Sequence, residues 1–175
     1  MNRWLKHMLI LILSFVLSYC AGAPKITPSY RNGVYIHSAS SILVVPEKID
    51  NRNDLILPDA LSTELLNMGL DVIDRTALVQ MAKEKGLDFT EIIKGKEYSK
   101  IWALAEIKYI AIVNSRFIGS GVSNASVRIV TTKTGSLIFS ATYSQPVPEQ
   151  PMYIHHDTVL KTASRIAMKI KVIVL

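Results

Sequence analysis

Apolar positions along this chain change their spacing several times, and each change marks a new element. Met8 to Leu17 is apolar at every position except Ser14. From 21 to 38 the period vanishes, because Pro24, Pro28, Ser29, Asn32 and Gly33 break any regular element. Tyr30, Val34, Tyr35 and Ile36 are apolar enough to lay the later part of that stretch on a folded body. Ser41 to Val45 is a continuous apolar run ended by Pro46, which predicts a central strand buried on both faces. Glu47 to Leu57 is polar, holds Asp50-Asn51-Arg52-Asn53-Asp54, and reads as a loop. Pro58 then suits the first position of a helix, where a missing N–H does no harm. Ala60, Leu61, Leu65 and Leu66 form its apolar stripe and Gly69 closes it.

Leu70 to Asp74 predicts a second strand, with Asp74 or Thr76 capping a helix whose apolar positions are Leu78, Val79, Met81 and Ala82 and whose stop is Gly86. After a polar link, Tyr98 to Glu106 predicts a third helix with Ile101, Trp102, Leu104 and Ala105 on its apolar side. Tyr109 to Val113 is another buried strand running on towards Phe117-Ile118, and Gly119 and Gly121 mark a turn. Ala125, Val127, Ile129 and Thr131 alternate with Ser126, Arg128 and Val130, the pattern of a strand with one wet face. Thr132 to Gly135 is a hairpin turn and Leu137 to Tyr143 the returning strand. Pro146, Pro148 and Pro151 stiffen a crossing segment. The last helix starts near His156 or Asp157, with Val159 or Leu160, Ala163, Ile166 or Ala167 and Ile170 inward and Lys161, Arg165 and Lys169 outward. The apolar Val172 to Leu175 either docks on the sheet or forms a subunit contact. The order β-α-β-α-α-β-β-β-α predicts a single α/β domain, a mixed sheet of about five strands packed with about four helices.

The first residues add an address. Arg3 and Lys6 precede the apolar run with no acid beside them. That run is about ten residues, half of what a spanning helix needs. A basic end, a short apolar core and small residues after it form the layout of an export signal. Cys20 is the only cysteine, so no disulfide forms within the chain. Leu17-Ser18-Tyr19-Cys20 resembles a lipobox, with Tyr19 where a small residue is usual. Cys20 is then the lipidation site, carrying acyl chains of the palmitate class. Two other readings stand beside it: secretion with cleavage after Ala21-Gly22-Ala23, and a buried cysteine beside a retained helix. The organisation expected is a lipoprotein signal peptide at 1–20, a tether at 21–38 and one domain at 39–175.

Charge alters little. The net +6 falls to +4 once Arg3 and Lys6 are set aside, and the remaining basic residues are scattered. A scattered surplus is a solvated face with weak attraction for anionic surfaces. Nucleic acid is not an expected partner of an exported chain. The chemistry-bearing clusters are also thin. In His155-His156-Asp157 the adjacent histidines point apart on a helix, whereas a metal pair wants i, i+4 spacing. Gly119-Ser120-Gly121 opens no helix and cannot cradle a phosphate. Asp74 beside Arg75 reads as a helix cap. No catalytic residue, metal site or cofactor is expected, and the chain does not read as an enzyme. Recognition usually sits on loops over a rigid sheet. Asn51 and Arg52 in the loop Glu47–Leu57, with the link Leu87–Lys96, are therefore the candidate partner-binding residues. The alternative is that Asn51 and Arg52 only close the turn.

Three segments in order carry a resemblance. Ser41–Pro46 followed by Asp50-Asn51-Arg52 resembles an "I-A-V-L-P-F…N-R-S" opening. Val72-Ile73-Asp74-Arg75-Thr76-Ala77-Leu78, continuing to Glu84, resembles "V-V-D-R-S-x-L…E". Arg128 to Gly135 with Leu137 to Tyr143 resembles "R-L-V-D-V-x-T-G-E-I-L". These are similar to the curli-assembly (CsgG-like) lipoprotein family, related to the penicillin-binding-protein activator LpoB and the N-terminal domain of TolB. The chain departs from that pattern at Glu106-Ile107-Lys108-Tyr109, where Gly-Ala-Asp-Tyr is common, and at Thr131, where Asp is common. The resemblance implies a lipoprotein anchored in the outer membrane on its periplasmic face, a protein-binding adaptor or assembly factor for other envelope proteins, with homo-oligomers in some branches. The alternative it implies is a subunit of an oligomeric secretion channel. A membrane barrel needs strands of about nine to eleven residues, and Ser123–Tyr143 is the one candidate hairpin.

Overall fold

A strand with no polar position must bury both faces, and two such stretches organise the domain. The computed structural model describes residues 23–48, 52–88, 100, 105–146 and 157–175. In chain order these form β1 (Lys25–Tyr30), β2 (Ser41–Pro46), α1 (Asn53–Asn67), β3 (Asp71–Ile73), α2 (Arg75–Glu84), β4 (Tyr109–Ile118), β5 (Gly121–Thr131), β6 (Leu137–Ser144) and α3 (Val159–Ile170), which tightens into a 3-10 turn at Lys171–Ile173. The six strands make one mixed sheet in the order β1-β6-β5-β4-β2-β3. β2 runs parallel to β3 and β4, and the other pairs are antiparallel. This is the mixed α/β domain expected, with one more strand.

Ile42 and Val44 of β2 join Ala111 and Val113 of β4 on one face of the sheet, and Leu43 and Val45 join Ile110 and Ile112 on the other. The chain leaves β2 for β3, then returns past β2 to β4. Right-handed crossovers in opposite directions must lie on opposite faces. Accordingly α1 buries Leu57, Leu61 and Leu65 in the first cluster together with Ala163, Ile166 and Ile170 of α3, and α2 buries Leu78 and Ala82 in the second.

The helix ends follow their sequence signals. Gly69 and Gly86 take positive φ just beyond α1 and α2. Each allows the paired bonds of a Schellman motif: Gly69 N–H to Leu66 O with Leu70 N–H to Leu65 O, and Gly86 N–H to Lys83 O with Leu87 N–H to Ala82 O. Asp74 caps α2 by accepting from Thr76 N–H at 2.8 Å. For α3 the cap is Thr158, whose hydroxyl accepts from Lys161 N–H at 3.3 Å.

Several expectations need correction. Part of the tether expected at 21–38 belongs to the domain: Lys25–Tyr30 is an edge strand on β6 and Ile36 is fully buried. Pro28 does not prevent this, because an edge strand has one unpaired side on which a missing N–H costs nothing. Helix α1 starts at Asn53 and carries Pro58 inside it. Only one intrahelical bond is lost there, and Leu57 and Pro58 are both buried. The C-terminal apolar run docks as expected, with Ile173 in the first cluster against the sheet and Val174 packed on it, and it also pairs with that same N-terminal segment. Ile36 N–H donates to Ile173 O at 2.7 Å, Leu175 N–H to Ile36 O and Ser38 N–H to Leu175 O, each at 2.9 Å. Of the third helix, Lys100 and Ala105 are helical, and Trp102 lies outside the described residues. Glu106, which follows Ala105, has φ +52°. It stands where the resembling family commonly has glycine, so its left-handed backbone retains a steric cost that glycine avoids.

Candidate protein-binding surface

Among the described residues, the wet side of β5 is left without a covering element. Ala125, Val127 and Ile129 enter the first cluster, so Asn124, Ser126 and Arg128 point to the other face. The register carries this polar row across the sheet. Ser126 stands opposite Asn114 of β4 and Thr142 of β6, and Thr142 opposite Thr27 of β1. Arg128 stands opposite Ser140, and Ser140 opposite Ser29. Asn114, Asn124, Thr142, Thr27 and Ser29 are exposed. Among the described residues, α2 packs on β2 and no helix covers the face formed by β5, β6 and β1. On the opposite face the same strands are covered by α3.

Glu47, one residue past β2, organises the margin of this surface. Its Oε1 accepts from Arg128 Nη2 and its Oε2 from Asn114 Nδ2, each at 2.6 Å. Both charged side chains are more than a third exposed. Such a pair is worth about 0.2–1 kcal/mol, so it orients Arg128 more than it stabilises the fold. The result is an ordered array of hydroxyls, amides and one held guanidinium at strand spacing. It can exchange hydrogen bonds with a polar protein surface.

Among the described residues, two depressions lie at the carboxyl ends of the parallel strands. The larger, about 300 Å³, is lined by Asp59, Ser62, Val72, Asp74, Arg75 and Thr76. Its charged groups are engaged locally: Asp74 caps α2, and Arg75 Nη2 lies 3.1 Å from Asp59 Oδ1. The smaller, about 200 Å³, lies between Pro46, Lys48, Asp54 and Val113–Ser115. Among the described residues no three His, Cys, Asp or Glu side chains converge as a metal site.

A third polar cluster, under α3, is buried. Asp157 is only 6% exposed. Its Oδ2 accepts from the Tyr143 hydroxyl at 3.1 Å and lies 2.9 Å from Arg165 Nε, and its Oδ1 lies 3.1 Å from Lys161 Nζ. Its N–H donates to Gln145 Oε1 at 3.0 Å, and its carbonyl accepts from Val122 N–H at 3.3 Å. Burial pushes the Tyr143 phenol above its ordinary pKa, and the neighbouring Asp157 carboxylate adds to the shift. The network fastens the start of α3 to the ends of β5 and β6.

Of the residues singled out in the sequence, Cys20, Asn51, His155 and His156 lie outside the described residues. Arg52 is exposed at the N-cap of α1, makes no side-chain cap, and accepts through its carbonyl from Leu55 N–H at 3.2 Å. Of the expected loop Glu47–Leu57, residues 53–57 are helical, and of the link Leu87–Lys96 only Leu87 and Asp88 are described. The open strand face was visible in the sequence only as the alternation of β5. Its pairing with Glu47, 81 residues away, leaves no local signal.

The architecture defines the class as an α/β domain with the fold of the LpoB C-terminal domain. That domain from Escherichia coli superposes with a TM-score of 0.51 at 16% identity, over 66% of this chain and 88% of its own. Lipoprotein GNA1162 from Neisseria meningitidis gives 0.47 at 17% identity over 63% and 88%, and the PelC dodecamer protein from Paraburkholderia phytofirmans 0.46 at 9% over 85% and 95%. No protein-family model matches the chain and no curated protein sequence does. The LpoB superposition supports an LpoB-like fold.

Proposed function

We propose that this chain is a lipoprotein of the bacterial envelope, held through Cys20 on the periplasmic face of the outer membrane, and that it acts as a protein-binding adaptor or assembly factor. The observation that carries the binding role is the open strand face at Arg128, Ser126, Thr142 and Ser140, which no described element covers. Where strands carry a helix on one face and polar side chains on the other, as β5, β6 and β1 do among the described residues, the polar face is met by a partner or by water. The Glu47–Arg128 pair holds one charged group in a fixed direction on it. The leader supports the address, with Arg3 and Lys6 ahead of a short apolar run and Cys20 at its end. The role is contact rather than bond-making, with envelope proteins as partners.

The channel alternative asks the Ser123–Tyr143 hairpin to leave the sheet. β5 is paired to β4 and β6, and β6 also to β1, so that hairpin is already in use. The test of the main reading is photo-crosslinking in intact cells from Ser126 and Thr142, with Lys83 on α2 as the control position. Captured envelope proteins at the first two and none at the third support it. Equal capture at all three removes the open face from the account. A fatty-acid label that survives Cys20→Ser removes the anchor.

A further inference from the structure

β1 begins at Lys25, with four residues between it and Cys20. Five residue steps reach about 18 Å at full extension. A domain of this length is roughly 40 Å across. A lipid on Cys20 therefore keeps the start of β1 within about 18 Å of the bilayer, so the end of the body where β1 begins is the end nearest the membrane.

The register says which end that is. Lys25 stands opposite Ser144, Ser144 opposite Asn124, and Asn124 opposite Arg116. Just beyond this row lies the β4–β5 turn at Gly119-Ser120. The start of α3 is fastened at the same end, because Asp157 bonds to Val122 and Gln145. Two large apolar side chains are exposed here, Ile118 at 47% and Leu160 at 68%. Around them Lys25, Arg116 and Lys161 are exposed as well. Among the described residues the acid at this end is Asp157, which is buried and already paired with Lys161 and Arg165. The opposite end also has exposed apolar and basic groups, Tyr30, Leu137 and Lys133. Composition alone therefore does not choose between the ends; the place where the chain enters the sheet does.

We propose that the end formed by Lys25, Arg116, Ile118, the Gly119-Ser120 turn, Leu160 and Lys161 is a membrane-docking surface for anionic lipid, on which the domain stands. The choice of end rests on acylation of Cys20. Ile118 and Leu160 enter the headgroup region and the three cations face anionic headgroups, each strengthening attachment about fivefold. The open strand face then rises from the bilayer, free for a protein partner.

The test uses the full chain matured in cells, checked by mass for the acyl group, in vesicles with and without about one-third anionic lipid. Environment-sensitive fluorophores are placed through Ser120→Cys and, at the far end, Lys133→Cys. The expected result is a blue-shifted, lipid-quenched probe at 120 in anionic vesicles and an aqueous probe at 133. Lys25→Glu with Arg116→Glu should return the 120 probe to water while acylation and far-ultraviolet circular dichroism stay unchanged. An acylated protein whose 120 probe remains aqueous, or whose 133 probe is quenched, overturns the docking surface and leaves the anchor intact. A mass without the acyl group overturns the anchor instead. The same probes, read on protein added to anionic vesicles, then still decide the surface.

Discussion

Replacing Asp157 by alanine asks how much the buried polar cluster contributes. The carboxylate has three partners. The Tyr143 hydroxyl at 3.1 Å is fully buried, and a hydrogen bond to a charged acceptor contributes about 1.5–3 kcal/mol. Arg165 is 32% exposed as a side chain, but the Nε that lies 2.9 Å from the carboxylate is buried and out of hydrogen-bond alignment, so this pair contributes about 0.5–1 kcal/mol. Lys161 at 59% exposure regains water when the acid is removed and contributes little. The sum is about 2–4 kcal/mol, just below the loss seen when one partner of a fully buried pair is deleted. In urea, with a slope of about 1.5 kcal/mol/M, the midpoint should fall by roughly 1.5–2.5 M. Asp157→Asn keeps one acceptor and should lose about half as much. In a Tyr143→Phe background the cost of Asp157→Ala should shrink by about 1.5–3 kcal/mol, because the shared bond is already gone. A cost below about 0.5 kcal/mol, or full additivity with Tyr143→Phe, would refute the view that this cluster fastens α3 to the sheet.

The same phenol gives a pH signature. Its pKa is raised on folding, so its contribution is fully present below pH 10 and is lost as pH climbs through the folded value; Tyr143→Phe should flatten the alkaline limb of a melting-temperature profile above pH 10, and an unchanged limb would contradict this. Glu106→Gly relieves a left-handed backbone and should stabilise by up to about 1 kcal/mol in chemical denaturation, whereas a loss would show that the side chain compensates for the strain. Asp74→Ala removes the α2 cap and should cost about 1 kcal/mol by the same assay, with Asp74→Ser nearly neutral. Leu61→Ala opens the first cluster beneath α1 and should cost about 2–5 kcal/mol, against under about 0.5 for Leu66→Ala, which is exposed.

Reading the fold from residue order worked where one physical signal dominated. The unbroken runs at Ile42–Val45 and Ile110–Val113 could only be strands buried on both faces, and they are. The alternation at 124–130 announced a strand with a polar side. It failed where two signals competed. Lys25–Tyr30 does alternate polar with apolar, but Pro28 read as a breaker; only its place at the sheet edge makes that proline harmless. Asp50 to Asp54 read as loop, yet burial of Leu57 and Pro58 pulls the helix start back to Asn53. The candidate surface was half legible. Its polar residues on β5 were visible, whereas their neighbours on β1 and the ion pair with Glu47 arise from register between distant segments.

The pairing of the first strand with the last has a consequence for delivery. Among the described residues β1 is paired by β6, and Ile36–Ser38 by the final residues Ile173–Leu175. A chain crossing a membrane amino end first presents its earliest segment long before either partner arrives. Under the export proposed above, that segment would stay accessible to a processing enzyme throughout the crossing and close when the carboxyl terminus comes through. A premature stop upstream of Leu137 would leave it permanently open, so damage at one terminus is displayed at the other.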